Sequence, residues 1–458
     1  MQSNGKVDIL NSSIGKALFK LAWPLVLTNL LQTMYNITDA FFLGKLGTAE
    51  FSAPTLAQPI MFVFIALGAG FSQAGSTIIA QYTGMKRQDL AEKNAAQAIL
   101  TTLVLSSVFS LVGILSARAI VSQMALSKYT IDLAVTYMVI ELASVPFMFV
   151  MQLNSGILRG WGNSVIALRL TFVSVMMNVV LDPIFIFGFK QGVAGAAVAT
   201  FISRFVIAVY FTYLMFSGKY GFKLRVKDFK PDFSSIMQVI KIGLPASFGQ
   251  AVTSLGFTLI MGVVSRFGVE VVSAYGVGQK ISQLMVNFAS GVSLACASMI
   301  GQFLGADRPD LASRTVKKAA IFTFSVALAV STLLFFFGHN VTQFFVNDPK
   351  VIEMGEIYFR LISFSLPFFT TLAVFMDTLR GSGHTVQSTI IDIVRLWGIR
   401  IPIVTILAEK YGFRGVFYGM IISNISAMFL AMAFLVFGNW KKKIVKVHKI
   451  SGEHVEEG

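Results

Sequence analysis

Long apolar stretches separated by short polar breaks run along the chain from Leu18 to Phe437. A helix that crosses a bilayer needs about 20 predominantly apolar residues, and twelve stretches approach or exceed that length. Glycine and proline inside them are compatible with membrane helices, because neighbouring helices, side chains and water satisfy the freed backbone groups. The pattern predicts an all-α integral membrane protein with spans at 15–43, 54–83, 94–117, 131–157, 165–189, 193–216, 237–265, 275–303, 316–339, 352–379, 386–408 and 413–438.

The second half of the chain repeats the first at a constant spacing. Segment 81–91 aligns with 302–312, and Leu-Arg-Gly at 158–160 aligns with Leu-Arg-Gly at 379–381. We call this spacing, from position 81 to position 302, the repeat offset. Six spans per unit is an even number, which predicts two parallel repeats related by an axis along the membrane normal, an arrangement typical of transporters. We expect an N-terminal lobe at 1–216, a cytoplasmic linker at 217–236, a C-terminal lobe at 237–440 and a basic cytoplasmic tail at 441–458.

Composition and charge agree with a membrane protein. Hydrophobic residues make up 55% of the chain and charged residues 13%, with a mean hydropathy of +0.73, whereas soluble domains are about 25% charged. The net charge of +15 does not indicate nucleic-acid binding, because the basic residues gather in alternate loops and at both ends, as the positive-inside rule describes. We expect a monomer in the cell (inner) membrane, in contact with lipids, with both termini cytoplasmic.

Motifs typical of enzymes and ATP-driven pumps do not occur in the sequence. It has no GxxxxGK[ST], HExxH, GxSxG or CxxC pattern. Cys296 is the single cysteine, and the four histidines are too dispersed for a metal cluster. The polar stretch Met1–Ser13 does not have the pattern of a removable signal peptide. We predict a transporter of a small organic molecule that has no enzymatic activity and needs no cofactor.

Polar side chains form stripes in the spans of the first half. Ionisable residues inside a spanning helix are costly and are functional candidates for that reason. In the fifth span, Asn178 precedes Asp182 by one turn, and Pro183 removes a backbone donor. Thr200 adds a hydroxyl in the sixth span. The first span carries four polar residues at i, i+3, i+4 and i+7, on one helix face, namely Gln32, Tyr35, Asn36 and Asp39.

These polar groups have the chemistry of a small-cation site. Two carboxylates with amides and hydroxyls offer only oxygen ligands, which suits a hard cation such as sodium and equally suits a proton. The sequence leaves sodium and proton as alternatives. For Asp39, a plainer interpretation is that it caps its helix near the outer interface.

The second half carries a different set of ionisable residues within its spans, namely Lys280, Asp377, Asp392, Arg395 and Arg400. Asp392 and Arg395 are three residues apart and can pair on one helix face, which neutralises them inside the lobe as readily as it serves a substrate. Lys280 and Arg400 have no evident local partner. We expect these residues to line or support a substrate cavity together with Gln32, Tyr35 and Asn36.

Five segments are distinctive in combination, namely Pro24, QTMYNITD at 32–39, LRGWG at 158–162, NVVLDP at 178–183 and GVAGAA at 192–197. With them the chain resembles the prokaryotic branch of the multidrug and toxic compound extrusion (MATE) family. The resemblance implies a V-shaped, twelve-helix, two-lobe antiporter that exchanges protons or sodium for organic, often cationic, amphipathic compounds by rocker-switch alternating access. It also implies a cation-coupling site, with the sodium ligands if sodium is used, at Asp39, Asn178, Asp182 and Thr200.

The second repeat departs from this pattern. Other branches of the family place an acidic residue in the seventh span, whereas Pro245–Arg266 contains no carboxylate. At the repeat offset, Ile260 also replaces Asp39 and Ile403 replaces Asp182. We therefore expect the first half alone to hold the ion switch.

Two other functions fit the same pattern. A lipid or lipid-linked precursor flippase of the same superfamily would use Lys280, Arg395 and Arg400 to hold a phosphate. A membrane receptor or scaffold that transports nothing would have no ion-dependent flux and no central cavity, and the 217–236 linker is too short for a signalling domain.

Overall fold

The computed structural model describes residues 5–123 and 127–445. Positions 446–458 of the predicted basic tail and the first four residues of Met1–Ser13 lie outside the described residues. Every regular element of the described part is helical. The α-helices are α1 (Ile14–Gly44), α2 (Thr48–Gly84), α3 (Gln88–Val121), α4 (Lys128–Ala143), α5 (Val145–Trp161), α6 (Ser164–Pro183), α7 (Gly192–Ser217), α8 (Phe233–Val264), α9 (Val269–Gly305), α10 (Pro309–Phe345), α11 (Pro349–Ser382), α12 (Thr385–Ile393), α13 (Ile401–Tyr411) and α14 (Phe413–Phe437).

Short helical turns of other types extend or join these helices. A π-helical turn, Ile184–Gly188, follows α6, and a second one, Val394–Arg400, joins α12 to α13. Two 3₁₀ turns lie at Val226–Phe229, between α7 and α8, and at Ser265–Phe267, after α8.

The helices account for the twelve predicted spans. Within the described residues, ten helices are long and apolar enough to cross a membrane on their own, and α4 with α5 forms a further span bent by 43°. The remaining prediction, 386–408, falls in the segment 385–411, where α12, the π-helical turn and α13 follow one another without a break. The predicted all-α membrane architecture is confirmed.

The same turn ends α5 in the first repeat and α11 in the second. Gly162 and Gly383, related by the repeat offset, have φ angles of 93° and 92°, in the left-handed region that residues with a Cβ atom avoid. Their N–H groups donate to the carbonyl oxygens of Arg159 and Arg380, both at 3.0 Å. The repeat therefore places Arg159 and Arg380 at equivalent positions, one in each half of the chain.

We call helices α1–α7 the first lobe and helices α8–α14 the second. The two meet where α2 packs on α8 and α1 packs on α9. A Cβ atom on Gly70 would lie 2.3 Å from the backbone nitrogen of Ser247, and one on Gly291 would lie 2.8 Å from that of Val26. The repeat offset relates Gly70 to Gly291 and Val26 to Ser247. The two contacts are copies of each other, as parallel repeats require.

The lobes also touch where α2 and α9 end. A Cβ atom on Gly84 would lie 2.0 Å from the carbonyl oxygen of Gln302, and one on Gly305 would lie 2.0 Å from that of Gln81. These four residues form two pairs that the repeat offset again relates. Since any side chain at either glycine would meet backbone atoms, this contact requires glycine on both sides.

Two buried glutamine side chains cross between the lobes at this contact. Gln81 Nε2 donates to the carbonyl oxygen of Ser382 at 3.2 Å, and Gln302 Nε2 donates to that of Gly160 at 2.8 Å. The N–H of Ile444, near the end of the described chain, donates to Gln81 Oε1 at 3.0 Å. The lobes are thus closed against each other on this side, which we call the terminal face.

Candidate functional site

A polar cluster lies inside the first lobe, where α1, α6 and α7 meet. Asn178 Nδ2 donates to Asp182 Oδ1 at 3.0 Å and to Thr200 Oγ1 at 3.3 Å. The Tyr35 hydroxyl shares a hydrogen bond of 2.8 Å with Thr200 Oγ1. Asn178, Asp182 and Thr200 are each at most 2% exposed. The fold therefore joins three helices through residues that are far apart in sequence.

Three acceptor oxygens of this cluster are buried without a hydrogen-bond donor, namely Asp39 Oδ1, Asn178 Oδ1 and Asp182 Oδ2. The charges of Asp39 and Asp182 lie close enough to interact. Pro183 has no N–H, so the carbonyl of Val179 one turn earlier loses its helical donor. Because buried polar atoms nearly always have a partner, these oxygens are candidate acceptors for a bound water, for a proton on a carboxyl group or for a cation.

The donor set is made of oxygen atoms alone. Within residues 5–123 and 127–445, no three His, Cys, Asp or Glu side chains come together as ligands of a metal ion. Two carboxylates, an amide and a hydroxyl fit a sodium ion or a shared proton better than a thiophilic or imidazole-binding metal.

A buried ion pair beside Asp39 is part of the cluster. Arg204 Nη1 lies 2.7 Å from Glu141 Oε2 and 2.6 Å from Ser144 Oγ. Glu141 is 3% exposed, and Asp39 is within electrostatic reach of both charges. The cluster contains one guanidinium, that of Arg204, and three carboxylates, those of Asp39, Glu141 and Asp182, so it favours an additional positive charge. Both residues of the pair lie inside predicted spans, and the same cost of burial that singles out Asp39 could have identified them.

Replacing Arg204 with methionine should destabilise the first lobe, because Glu141 would remain buried without a counter-ion. Removing one partner of a buried ion pair costs about 3–5 kcal/mol. We expect the Arg204→Met protein to unfold several degrees below the wild type in a detergent melting experiment. Arg118 and Asp132 form an exposed pair, with side chains 69% and 49% exposed, so Arg118→Met should cost at most about 1 kcal/mol. Equal melting temperatures for the two variants would contradict the assigned role of the pair.

The other polar residues of the α1 stripe face different surroundings. Gln32 lines a cavity between the two lobes, whereas Asn36 is exposed. Asp39 is half-buried, with one carboxylate oxygen fully enclosed. The stripe predicted as one face is therefore divided between the polar cluster and the cavity.

The cavity between the lobes has a volume of about 830 Å³ and receives residues from both of them. It is closed towards the terminal face by the glycine contacts of Gly70 and Gly84. Lys280 has an exposed side chain and lies outside the set of lining residues within the described chain. Its neighbour Gln279 lines the cavity. The charged lining residues are Arg159, Asp377, Arg380, Asp392, Arg395 and Arg400.

Four of these residues form a neutral chain of ion pairs. Arg380 binds Asp377 Oδ1 at 3.0 Å and Asp392 Oδ2 at 2.8 Å, and Arg395 reaches Asp392 Oδ1 at 3.2 Å. Ser293 Oγ donates to Asp377 Oδ2 at 2.5 Å. The sequence indicates the Asp392–Arg395 pair by its spacing, but Arg380 comes from a different helix.

Arg400 and Arg159 line the same cavity and bind neutral groups. Arg400 is 1% exposed and donates through Nε to Ser423 Oγ at 2.7 Å and through Nη2 to Asn424 Oδ1. Arg159, 6% exposed, donates through Nη2 to Ser72 Oγ at 3.4 Å. The cavity lining therefore holds two more guanidinium groups than carboxylates.

The π-helical turn explains how Arg395 and Arg400 share this cavity. Five residues along an α-helix correspond to about 1.4 turns, which places two side chains on different faces. In a π-helix the hydrogen bond joins residues five apart, so such residues lie above one another. The turn Val394–Arg400 contains both arginines and brings both to the cavity.

Comparisons with known proteins agree with this architecture. The MatE family model matches residues 24–184 and 245–406, one match in each repeat. The chain is 26% identical over 443 residues to the "Probable multidrug resistance protein YpnP" of Bacillus subtilis (strain 168), covering 95% of this chain and 97% of that protein. It is 26% identical over 428 residues to the "Multidrug export protein MepA" of Staphylococcus haemolyticus (strain JCSC1435), covering 93% and 94%.

A solved structure of similar fold is that of a MOP superfamily transporter from Pyrococcus furiosus, for which a reverse polarity of the binding pocket is said to suggest a different function. It is 25% identical in sequence, covers 97% of this chain and 100% of its own, and superposes with a TM-score of 0.86. The family model covers most of both repeats, with one match in the first lobe and one in the second. The chain therefore belongs to the MatE family, the multidrug and toxic compound extrusion transporters, and is a multi-pass membrane transporter.

Proposed function

We propose that this transporter is an antiporter, which couples the entry of a monovalent cation, Na⁺ or H⁺, to the export of amphipathic organic compounds. The main support is that Asp39, Asn178 and Asp182 each have a buried oxygen atom that accepts no hydrogen bond within the described chain. Leaving buried acceptors unpaired costs about 1–3 kcal/mol each, and a bound cation or proton removes that cost. The hydroxyl of Thr200 adds a further oxygen next to Asn178.

The cation site and the cavity communicate through α1. Tyr35 reaches Thr200 in the polar cluster, while Gln32, less than one turn earlier, lines the cavity. A cation held by Asp39 and Asp182 and a substrate held in the cavity then favour different arrangements of the same helix. Linkage makes this antagonism reciprocal, so cation entry expels substrate and substrate release accompanies cation binding.

We place the protein in the cell (inner) membrane, as a monomer with the terminal face in the cytoplasm. Basic residues beside the glycine contacts, Lys86 and Arg87 in the first repeat and Arg308 in the second, support this orientation. The closed terminal face then corresponds to a state that is shut towards the cytoplasm. Rocking of the lobes about the repeated contacts of Gly70 and Gly291 would open it.

The cargo is an organic compound of drug-like size. A volume of about 830 Å³ lies within the range of pockets that enclose such molecules, and the names of the two bacterial relatives refer to multidrug resistance and export. The excess of guanidinium groups in the lining favours compounds that carry an anionic group over purely cationic ones. The Pyrococcus furiosus transporter, with its reverse pocket polarity, is a precedent for such a difference within the superfamily.

A flux assay in sealed proteoliposomes tests the coupling. Uptake of a fluorescent amphipathic dye is followed with a Na⁺ gradient at constant pH, with a pH gradient in the absence of Na⁺, and with neither, while valinomycin and K⁺ clamp the membrane potential. We expect one of the two gradients to raise dye accumulation clearly above the level without a gradient, up to the limit that the concentration ratio of the driving cation sets. Equal accumulation under all three conditions would rule out the antiporter.

A further inference from the structure

The second-lobe wall of the cavity has the geometry of an anion site. Arg400 is almost completely buried, at 1% exposure. Within residues 5–123 and 127–445 its guanidinium donates hydrogen bonds to the neutral side chains of Ser423 and Asn424 and lies 5.8 Å from the centre of the Phe257 ring. Asn424 is itself held by Ser365, which accepts from its Nδ2 at 2.8 Å. A guanidinium keeps its charge in proteins, so this site holds a buried and uncompensated positive charge.

The nearby carboxylates, Asp377 and Asp392, already have hydrogen-bond partners. Asp392 accepts hydrogen bonds from both Arg380 and Arg395, and Asp377 accepts from Arg380 and Ser293. Both carboxylates are thus balanced inside their own network, and they do not neutralise Arg400. Burying an unpaired charge is strongly unfavourable. The buried Arg400 guanidinium therefore destabilises the unliganded protein, and a bound anion would offset that free-energy cost.

Three further donors of the cavity lining lack partners. The Nε atoms of Arg159, Arg380 and Arg395 are buried and have no hydrogen-bond acceptor within the described chain, and all three residues line the cavity with Arg400. Arg159 comes from the first lobe and Arg395 from the second. Donors from both lobes therefore border one space, and planar guanidinium groups suit carboxylate and phosphate oxygens.

The repeat explains why this chemistry is confined to one lobe. At the repeat offset, Arg395 corresponds to Ser174 and Arg400 to Val179. The π-helical turn that aligns the two arginines occurs at Val394–Arg400 and has no counterpart at the equivalent residues of α6. The second lobe thus acquires basic groups where the first lobe has neutral ones.

We propose that the cavity binds the anionic group of its cargo, a carboxylate, sulfonate or phosphate, at Arg400, with Arg395 and Arg159 as additional donors. The identification of this ligand as the cargo rests on the proposed export function. The presence of the anion-binding site does not rest on it. The ligand is a soluble amphipathic anion or the headgroup of an anionic lipid, since both present the same oxygens.

A matched pair of dyes tests the site. Fluorescein carries anionic groups and rhodamine 6G a delocalised cation on the same ring system, and their binding to purified protein in phosphatidylcholine nanodiscs is measured by fluorescence polarisation. We expect the wild type to bind fluorescein more tightly than rhodamine 6G. We expect Arg400→Gln to weaken fluorescein binding about 10- to 100-fold, the effect of losing a charged hydrogen bond, with little effect on rhodamine 6G.

Two further variants separate charge from folding. Arg400→Lys keeps the charge but loses the planar fork, so its fluorescein affinity should lie between those of the wild type and Arg400→Gln. Arg360 is an exposed arginine on α11, with 59% of its side chain accessible, and Arg360→Gln should bind both dyes like the wild type. The proposal is overturned if the wild type does not prefer fluorescein, or if Arg400→Gln and Arg400→Lys weaken both dyes equally.

Nanodiscs that contain phosphatidylglycerol identify the source of the anion. Weaker fluorescein binding to the wild type in these discs, with no such change in Arg400→Gln, assigns the site to a lipid headgroup. Equal binding in both kinds of disc assigns it to a soluble anion. All these binding measurements are made without an ion gradient. Dye flux that does not depend on Na⁺ or pH would therefore refute the antiporter, but it would not refute the anion site.

Discussion

Proteoliposomes that contain Asp182→Asn should lose gradient-driven accumulation of the dye, which should fall to the level that the wild type shows without a gradient. Asparagine keeps the size of the side chain and its hydrogen bond with Asn178, which the structure places at 3.0 Å from Asp182. It removes the negative charge that the coupling cation must neutralise. Asp39→Asn should have the same effect, because the charges of the two carboxylates interact.

The control for this prediction is an equivalent change outside the cluster. Asp132 is exposed on α4 and pairs with the exposed Arg118, so Asp132→Asn should transport like the wild type. Dye binding by Asp39→Asn and Asp182→Asn without a gradient shows that the cavity is intact. If both variants bind dye and still accumulate it in response to the gradient, the first-lobe cluster is not the coupling site.

Valine in place of Gly84 is expected to prevent the lobes from closing at the terminal face. The added Cβ would lie 2.0 Å from the backbone carbonyl oxygen of Gln302, and neither backbone can give way, because each belongs to a long helix. The closed state is therefore excluded, and a transporter that cannot visit one of its two states cannot complete its cycle. Gly305→Val should act in the same way, because its contact with Gln81 is the repeat-related copy.

Distances between spin labels measure this effect directly. Labels at Met85→Cys and Ala306→Cys, equivalent positions in the two repeats, would report the separation of the lobes in a protein whose buried Cys296 is replaced by serine. We expect the distance to increase in Gly84→Val and transport to fall to the background. Gly276→Val is the matched control, because no atom lies within 4 Å of its added Cβ. An unchanged label distance with normal transport would refute the closed contact.

The spans and the repeat can be predicted because they depend on patterns that are local or periodic. An apolar stretch of about 20 residues has few alternatives to a membrane helix, and the repeat offset is visible in Leu-Arg-Gly at 158–160 and 379–381. Asp39, Asn178 and Asp182 can be singled out because their burial in a membrane helix is expensive. The stripe spacing also predicts that they lie on helix faces that turn inward.

Side chains that pair across different helices cannot be predicted from the sequence in the same way. Arg204 and Glu141 lie 63 residues apart on α7 and α4, and no periodicity relates two different helices. The repeat identifies Arg380 as the equivalent of Arg159. Its ion pairs with Asp377 and Asp392, however, depend on how α11 packs against α12. The contacts of these pairs are decided by helix packing, which a single sequence does not encode as a pattern.

Arg400 and Lys280 illustrate how local geometry changes a prediction. Regular α-helical spacing would separate Arg400 from Arg395, and only the π-helical turn brings both to the cavity. The sequence predicts Lys280 in the cavity because it is ionisable and lies in an apolar stretch. The structure exposes its side chain, and its neighbour Gln279 faces the cavity instead.

We propose that the two lobes have separate roles, with the cation held by Asp39 and Asp182 and the anionic cargo held by Arg400. The test is a titration of fluorescein against the purified protein at increasing Na⁺ concentration and, separately, at decreasing pH. We predict that one of these cations lowers the fluorescein affinity of the wild type about 5- to 150-fold, and that the double variant Asp39→Asn, Asp182→Asn shows no dependence on it. A wild-type affinity that depends on neither cation, or a dependence that persists in the double variant, would refute this separation of roles.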